Sequence, residues 1–223
     1  MSVSEAMAYV KKNGRTVGGF TLIEIAIVIL IFGLLVTGML LGTTSLIQSG
    51  RTQGAMSMAT DLSGAARDFK QRYHFLPGDF PVDAASAEIP GLLAVCITGG
   101  ANAGNGDGLI QLAEAACVPE HLSKSGYIKG VPDAATGLVG LRTNWGVVRV
   151  IANGASGVAA GTNPLPVNIA NVVEFASLPC DVAVEIDSKI DDGNLATGKV
   201  RASVATCTPK GLNDPVPFLA IPL

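Results

Sequence analysis

The chain is poor in charged and in aromatic side chains. Among its 223 residues, 15% are charged and 5% are aromatic, whereas 48% are hydrophobic. This hydrophobic content is too high for a disordered chain, and long apolar runs are too few for a protein that crosses a membrane many times. The formal net charge of −3 gives no excess of basic residues that would indicate nucleic-acid binding.

The sequence also lacks the common catalytic motifs. It contains no G-x-S-x-G nucleophile elbow, no Walker loop and no zinc-binding helix motif. Its two histidines, His74 and His121, stand in no metal-ligand spacing, and we expect packing or surface roles for both. The sequence therefore predicts no enzymatic function.

Cysteine is scarce and absent from the first 95 residues. The four residues are Cys96, Cys117, Cys180 and Cys207, and no two form a CxxC pair. An even number in an exported domain favours two disulfides, for which three pairings exist. Local loop closure favours Cys96–Cys117 and Cys180–Cys207, and the alternative is a set of buried free thiols.

One long apolar run stands out at residues 20–42. As a helix, these residues would span roughly 35 Å, enough to cross the hydrocarbon core of a bilayer. The preceding segment carries Lys11, Lys12 and Arg15, which would keep the N-terminus in the cytoplasm. An ordinary signal peptide has its cleavage site after the apolar run, but here the small pair Gly18-Gly19 lies before it.

The apolar run contains a single ionisable residue, Glu24. A carboxylate in hydrocarbon is unfavourable by a few kcal/mol, about 3 even on lenient insertion scales, and such a residue usually has a partner. The run itself offers none. A signal anchor with an incidental acid is the plain alternative.

The segment Gly19-Phe20-Thr21-Leu22-Ile23-Glu24 resembles the processing motif of type IV prepilins and type II secretion pseudopilins. The resemblance implies that a prepilin peptidase cuts between Gly19 and Phe20 and N-methylates Phe20. It also implies that Glu24 faces the α-amino group of Phe20 in a neighbouring subunit. Paired burial makes both charges tolerable and fixes the register between subunits.

The resemblance has one departure near the middle of the helix. Many type IV pilins carry a proline about twenty residues into the mature helix, where this chain has Leu41 and no proline precedes Pro77. Weaker similarity continues in islands of the body, which are residues 75–81, 104–108, 121–128 and 190–202.

Beyond the apolar run, the pattern predicts an α+β body. Apolar residues at steps of four and three predict one buried helix face, formed by Ala55, Ala59, Leu62, Ala66, Phe69 and Tyr73. Strands are predicted at 146–152, 171–175, 182–186 and 200–205. The expected organisation is a leader at 1–19, a transmembrane helix at 20–42, an amphipathic helix at 43–76 and a globular domain at 77–223, with the helix packed on a small antiparallel sheet.

Three acidic loops are candidate sites for a hard cation. They contain Asp79 with Asp83, Asn105 with Asp107, and Asp187 with Asp191, Asp192 and Asn194. The resemblance favours the third, because some pseudopilins bind calcium near their C-terminal strands. None fits the EF-hand spacing, and Asp-Gly and Asn-Gly pairs are also ordinary turn formers.

These features predict a structural subunit of a type IV pilus-like filament. The expected partners are like subunits, the prepilin peptidase, the inner membrane and an assembly platform protein, with the body periplasmic or at the cell surface. Two alternatives remain open at this stage. One is a type II secretion pseudopilin, and the other is a minor tip subunit that binds a surface or DNA.

Overall fold

The computed structural model describes residues 19–81, 88–97, 102–129, 140–143, 146–204 and 215–223, without the side chains of residues 39–46. The chain divides into two compact units, Met1–Ser45 and Leu46–Leu223. The described helices are α1 (Leu22–Tyr73), α2 (Val118–Lys124) and α3 (Cys180–Ile190), together with three short 3-10 helices at Ala94–Cys96, Glu114–Cys117 and Asn153–Ala155.

The part of α1 that belongs to the C-terminal unit is amphipathic, as the sequence predicts. All six residues of the predicted face are buried. Five of them, with Ala65, belong to the same hydrophobic cluster as the strand residues Val148, Val173 and Phe175. The helix ends where His74 adopts a left-handed conformation with φ 65°, three residues before Pro77.

Five described strands form one antiparallel sheet. They are β1 (Leu141–Thr143), β2 (Gly146–Ala152), β3 (Asn171–Pro179), β4 (Arg201–Ala202) and β5 (Pro215–Pro222). Their spatial order is β1-β2-β3-β5-β4, and every neighbouring pair is antiparallel. Helices packed on a small antiparallel sheet make this an α+β fold, and the predicted strands at 146–152 and 171–175 are confirmed within β2 and β3.

The predicted strand at 182–186 is wrong, because these residues lie in helix α3. Val182, Ala183 and Ile186 are fully buried, and their spacing of one and three places them on one helical face. Asp181, Glu185 and Lys189 occupy the polar side. Pro179 precedes the helix as its N-cap, so β3 ends where α3 begins.

The C-terminal strand β5 was not predicted, because three prolines interrupt its pattern. It nevertheless lies between β3 and β4. The β3–β5 register passes from Ala176–Phe218 to Leu178–Val216 without a pair at Ser177, which has φ 63°. This irregularity lies opposite Pro217, which has no N–H to donate. The predicted strand at 200–205 is shorter in the structure, where β4 comprises Arg201–Ala202 and residue 205 lies outside the described residues.

Candidate functional site

The residues of the predicted processing site precede the first helix. Gly19, Phe20 and Thr21 are non-helical and exposed, and α1 begins at Leu22. Phe20 is 78% exposed. The Gly19–Phe20 peptide bond therefore lies outside the helical hydrogen-bond ladder, in the conformation and exposure that endoproteolysis favours.

The first turns of α1 expose apolar side chains on every side. The exposed fraction ranges from 41% at Val36 to 89% at Leu22. The group comprises Leu22, Ile23, Ile25, Ile27, Val28, Ile29, Leu30, Ile31, Phe32, Leu34, Leu35 and Val36, and Phe20 directly before the helix is exposed as well. A helix that is apolar all round is normally covered by lipid or by other protein, because water leaves its whole surface unfavourably hydrated.

Among the described residues, no helix combines enough length with enough apolar character to cross a membrane.

Glu24 lies within this apolar surface, between the exposed residues Ile23 and Ile25. Its backbone N–H donates to the hydroxyl oxygen of Thr21 at 3.3 Å and to the carbonyl oxygen of Thr21 at 3.1 Å. Glu24 thus stands in the first turn of α1, where the helix dipole favours an acidic side chain.

A second candidate site lies at the C-terminal end of α3, where three carboxylates meet. Oxygen atoms of Asp187, Asp191 and Asp192 lie within 4.8 Å of one another. Asp187 is fully buried, and neither of its carboxylate oxygens has a hydrogen-bond partner of ordinary geometry. A buried carboxylate without well-formed hydrogen bonds is unfavourable unless a cation or a proton satisfies it.

The two exposed carboxylates are held in place by the loop that follows α3. Asp191 accepts hydrogen bonds from the backbone N–H groups of Lys199 and Val200. Asp192 accepts from the Thr197 hydroxyl at 2.6 Å and from the Asn194 N–H at 2.9 Å. The loop therefore fixes two oxygen donors beside the buried one.

Electrostatics distinguish the three carboxylates. Burial, and then the negative charges of Asp192 and Asp191, raise the pKa of Asp187 to about 6. The N–H groups of Gly193 and Asn194 face this carboxylate and oppose the shift in its pKa. The Thr197 hydroxyl and then the Asn194 N–H lower the pKa of Asp192. The charges of Asp191 and Asp192 thus lie close to Asp187, whose charged form burial disfavours. Such an environment suits a hard cation such as Ca²⁺.

The other two acidic loops come together and have a structural role. Asp79 is 1% exposed, and its carboxylate accepts from the N–H groups of Gly106, Asp107 and Gly108. Asp107 accepts from the Leu109 N–H at 2.8 Å. Both oxygens of Asp79 and one oxygen of Asp107 thus accept from the backbone, and the other Asp107 oxygen accepts from the Asn105 side chain at 3.1 Å. Asp83 lies outside the described residues.

The predicted pairing of Cys96 with Cys117 is present as a disulfide. Cys180 also takes part in a disulfide, whereas Cys207 lies outside the described residues.

Sequence reasoning missed one buried ion pair. Glu174, on β3, is fully buried and accepts from the Arg149 Nε at 2.6 Å and from the Gly157 N–H at 2.5 Å. Burial raises the pKa of Glu174, and the positive charge of Arg149 opposes the shift. An acid within the otherwise apolar strand Asn171-Val172-Val173-Glu174-Phe175 was the available signal. The pair ties the loop at Gly157 to the sheet.

No protein-family model matches the chain, and neither a characterised protein nor a solved structure matches it.

Proposed function

We propose that the chain is a structural subunit of a type IV pilus-like filament that assembles from the inner membrane. The observation that carries the proposal is the combination at the N-terminus. A non-helical, exposed Gly19–Phe20 bond is followed by a helix whose apolar side chains are exposed all round. This segment resembles prepilin processing motifs. The resemblance implies that a prepilin peptidase cuts the bond and that helices of like subunits cover the apolar helix.

In this proposal, the apolar helix first lies in the membrane and then in the core of the filament. Cleavage between Gly19 and Phe20 releases an α-amino group, which carries positive charge at neutral pH. Glu24 of a neighbouring subunit would pair with this group, since both charges lie in apolar surroundings. The pairing would set the axial register of one subunit against the next.

The C-terminal unit supports the same proposal. The amphipathic part of α1 and the antiparallel sheet share one hydrophobic core. This is the organisation that the resemblance to pilin-like proteins implies. In the proposal, this unit forms the filament surface and has no catalytic role. A type II secretion pseudopilin would use the same assembly chemistry, so the output measured must include both surface filaments and secreted protein.

The test is substitution of Glu24 in a strain that produces the filament. Glu24→Ala removes the charge that the proposal places in apolar surroundings and should leave membrane insertion unharmed. Filament or secretion output should fall by at least tenfold, the effect of about 1.4 kcal/mol per contact. Asp61→Ala is the matched control, because Asp61 is an exposed acid of the same helix outside the apolar part. Full output from Glu24→Ala, with normal protein levels, would overturn the assembly mechanism.

We also propose that the carboxylate cluster binds a hard cation, for which calcium is the first choice. The supporting observation is the fully buried Asp187 carboxylate, whose oxygens have no ordinary hydrogen-bond partner. Ca²⁺ binds six to eight oxygens, and Asp191 and Asp192 place further carboxylate oxygens within reach. The cation would tie the end of α3 to the loop that leads to β4.

Thermal unfolding of the full chain in detergent tests this second proposal. Calcium should raise the melting temperature of the wild type, and a chelator should reverse the effect. Asp187→Asn should abolish the response, whereas Asp68→Asn, an exposed acid on α1, should retain it. A wild-type melting temperature that is insensitive to millimolar calcium would exclude the site.

A further inference from the structure

The side chain of Thr21 caps the start of helix α1, beside the Thr21 carbonyl oxygen, to which the Glu24 N–H also donates at 3.1 Å. The Thr21 hydroxyl oxygen accepts a hydrogen bond from the Glu24 N–H at 3.3 Å. The Thr21 carbonyl oxygen accepts from the Ile25 N–H at 3.3 Å, which is the first bond of the helical ladder. The first N–H groups of a helix have no helical partner, and an N-cap hydroxyl satisfies one of them. Thr21 and Glu24 also have the spacing of a capping box.

The Gly19–Phe20 bond lies before this cap. With α1 beginning at Leu22, the bond stays in the non-helical, exposed segment. Gly19 is sterically open, since a Cβ atom built there would meet nothing within 4 Å. An endopeptidase can therefore reach the bond without first unwinding a helical turn.

The nearest competing cap residue for the helix lies two residues earlier. Glycine is about as good an N-cap residue as threonine, so Gly19 is the next acceptable cap when the Thr21 hydroxyl is absent. Phe20 would then be the first helical residue. The Gly19 carbonyl would accept a helical hydrogen bond, and the bond to be cut would lie at the helix boundary rather than before it.

We infer that Thr21 is a positioning residue for leader removal. Its side chain makes α1 begin at Leu22 and so keeps the Gly19–Phe20 bond non-helical for hydrolysis. In this hydrolysis, water supplies the hydroxyl group of the new Gly19 carboxyl group and a proton of the new Phe20 amine. The inference rests on the proposed cleavage between these residues. Thr21 does not contact the reacting atoms in this role, because it acts by setting the residue at which α1 begins.

The test compares Thr21→Val, which keeps the shape and removes the hydroxyl, with Thr21→Ser, which restores it. Thr37→Val is the matched control, since the Thr37 hydroxyl bonds the Gly33 carbonyl at 2.8 Å within the helix and caps nothing. Each full-length chain is incubated in membranes with the prepilin peptidase, and the rate of leader removal is measured. In parallel, the Cα chemical shifts of Gly19 and Phe20 report the helix boundary of the uncleaved chain in detergent.

Thr21→Val should be cleaved about fivefold more slowly, the effect of one lost N-cap, and its Gly19 and Phe20 shifts should move toward helical values. Thr21→Ser and Thr37→Val should match the wild type in both measurements. Cleavage of Thr21→Val at the wild-type rate, or slow cleavage with unchanged shifts, would overturn the role of Thr21 alone. A wild-type chain that the peptidase leaves intact would instead overturn the proposed function, and this inference with it.

Discussion

The carboxylate of Asp79 accepts a hydrogen bond from the backbone N–H of Gly108 at 2.7 Å, across 29 positions of sequence. The N–H groups of Gly106 and Asp107 donate to the other oxygen of the same carboxylate. One buried side chain thus holds the Gly104–Gly108 loop against the segment that follows α1. The loop continues into Ile110, whose N–H donates to the Asn171 side chain at 2.9 Å.

Removal of this carboxylate should therefore destabilise the C-terminal unit. Asp79→Ala leaves the N–H groups of Gly106 and Gly108 without their acceptor in a partly buried place, whereas the Asp107 N–H keeps the Asn105 Oδ1 at 2.9 Å. We expect the free energy of unfolding to fall by about 3 kcal/mol. Urea unfolding of the full chain in detergent measures the change, with Asp61→Ala as the control. A loss below about 1 kcal/mol would mean that water replaces the carboxylate.

The stability of the folded chain should fall as the pH rises from about 4 to about 6 because of Asp187. Its pKa in the folded chain is about 6, above the value near 4 of an unfolded aspartate. The folded chain binds more protons in this interval, so this contribution is complete below about pH 4 and is lost as the pH rises through about 6. Without divalent cations, the wild type should lose about 2 kcal/mol more than Asp187→Asn across the interval. Parallel pH profiles of the two proteins would contradict this assignment.

Gly198 is expected to control the geometry of the carboxylate cluster. It has φ 74°, and a Cβ atom at this position would overlap the carboxylate of Asp191. Gly198→Ala should therefore displace Asp191 from the N–H groups of Lys199 and Val200 and weaken calcium binding by at least tenfold, as loss of one ligand does. Isothermal titration with calcium checks the effect. Gly154→Ala is the control, because a Cβ atom there meets nothing within 4 Å. Equal affinity in Gly198→Ala and wild type would place the ion elsewhere.

The Cys96–Cys117 disulfide should contribute substantially to stability. It closes a segment with a sequence separation of 21, and both cysteines are buried. The loop-entropy relation gives about 3 kcal/mol for a loop of this length. In urea unfolding, the double variant Cys96→Ala and Cys117→Ala should have a free energy of unfolding lower by this amount. Reductant should then lower the free energy of unfolding of the double variant less than that of the wild type. A double variant as stable as the wild type would show that the disulfide adds no net stability.

The sequence was sufficient for the elements whose residues are close in the chain. The buried face of α1 from Ala55 to Tyr73 follows from helical spacing alone, and strands β2 and β3 follow from dense β-branched runs. Helix α3 was mistaken for a strand because Val182, Val184 and Ile186 also alternate with period two. The segment is a helix because Val182, Ala183 and Ile186 are buried together in the core. This burial depends on distant residues and cannot be read from the local sequence.

The parts that depend on distant residues were not predictable. The proximity of Asp79 to the Gly104–Gly108 loop results from a parallel bridge between Pro81 and Gly104, which leaves no local pattern. Strand β5 was hidden because Pro215, Pro217 and Pro222 contradict a central strand in sequence. In contrast, the three carboxylates at the end of α3 were predicted as one group, because they lie within six residues and a single helical end brings them together.

The N-terminal mass of the protein extracted from membranes tests the central claim most directly. If the chain is a processed filament subunit, the mature protein begins at Phe20 and carries one added methyl group. A chain that still begins at Met1, in cells shown to contain an active prepilin peptidase, would contradict the claim. It would leave the exposed apolar helix as an ordinary signal anchor.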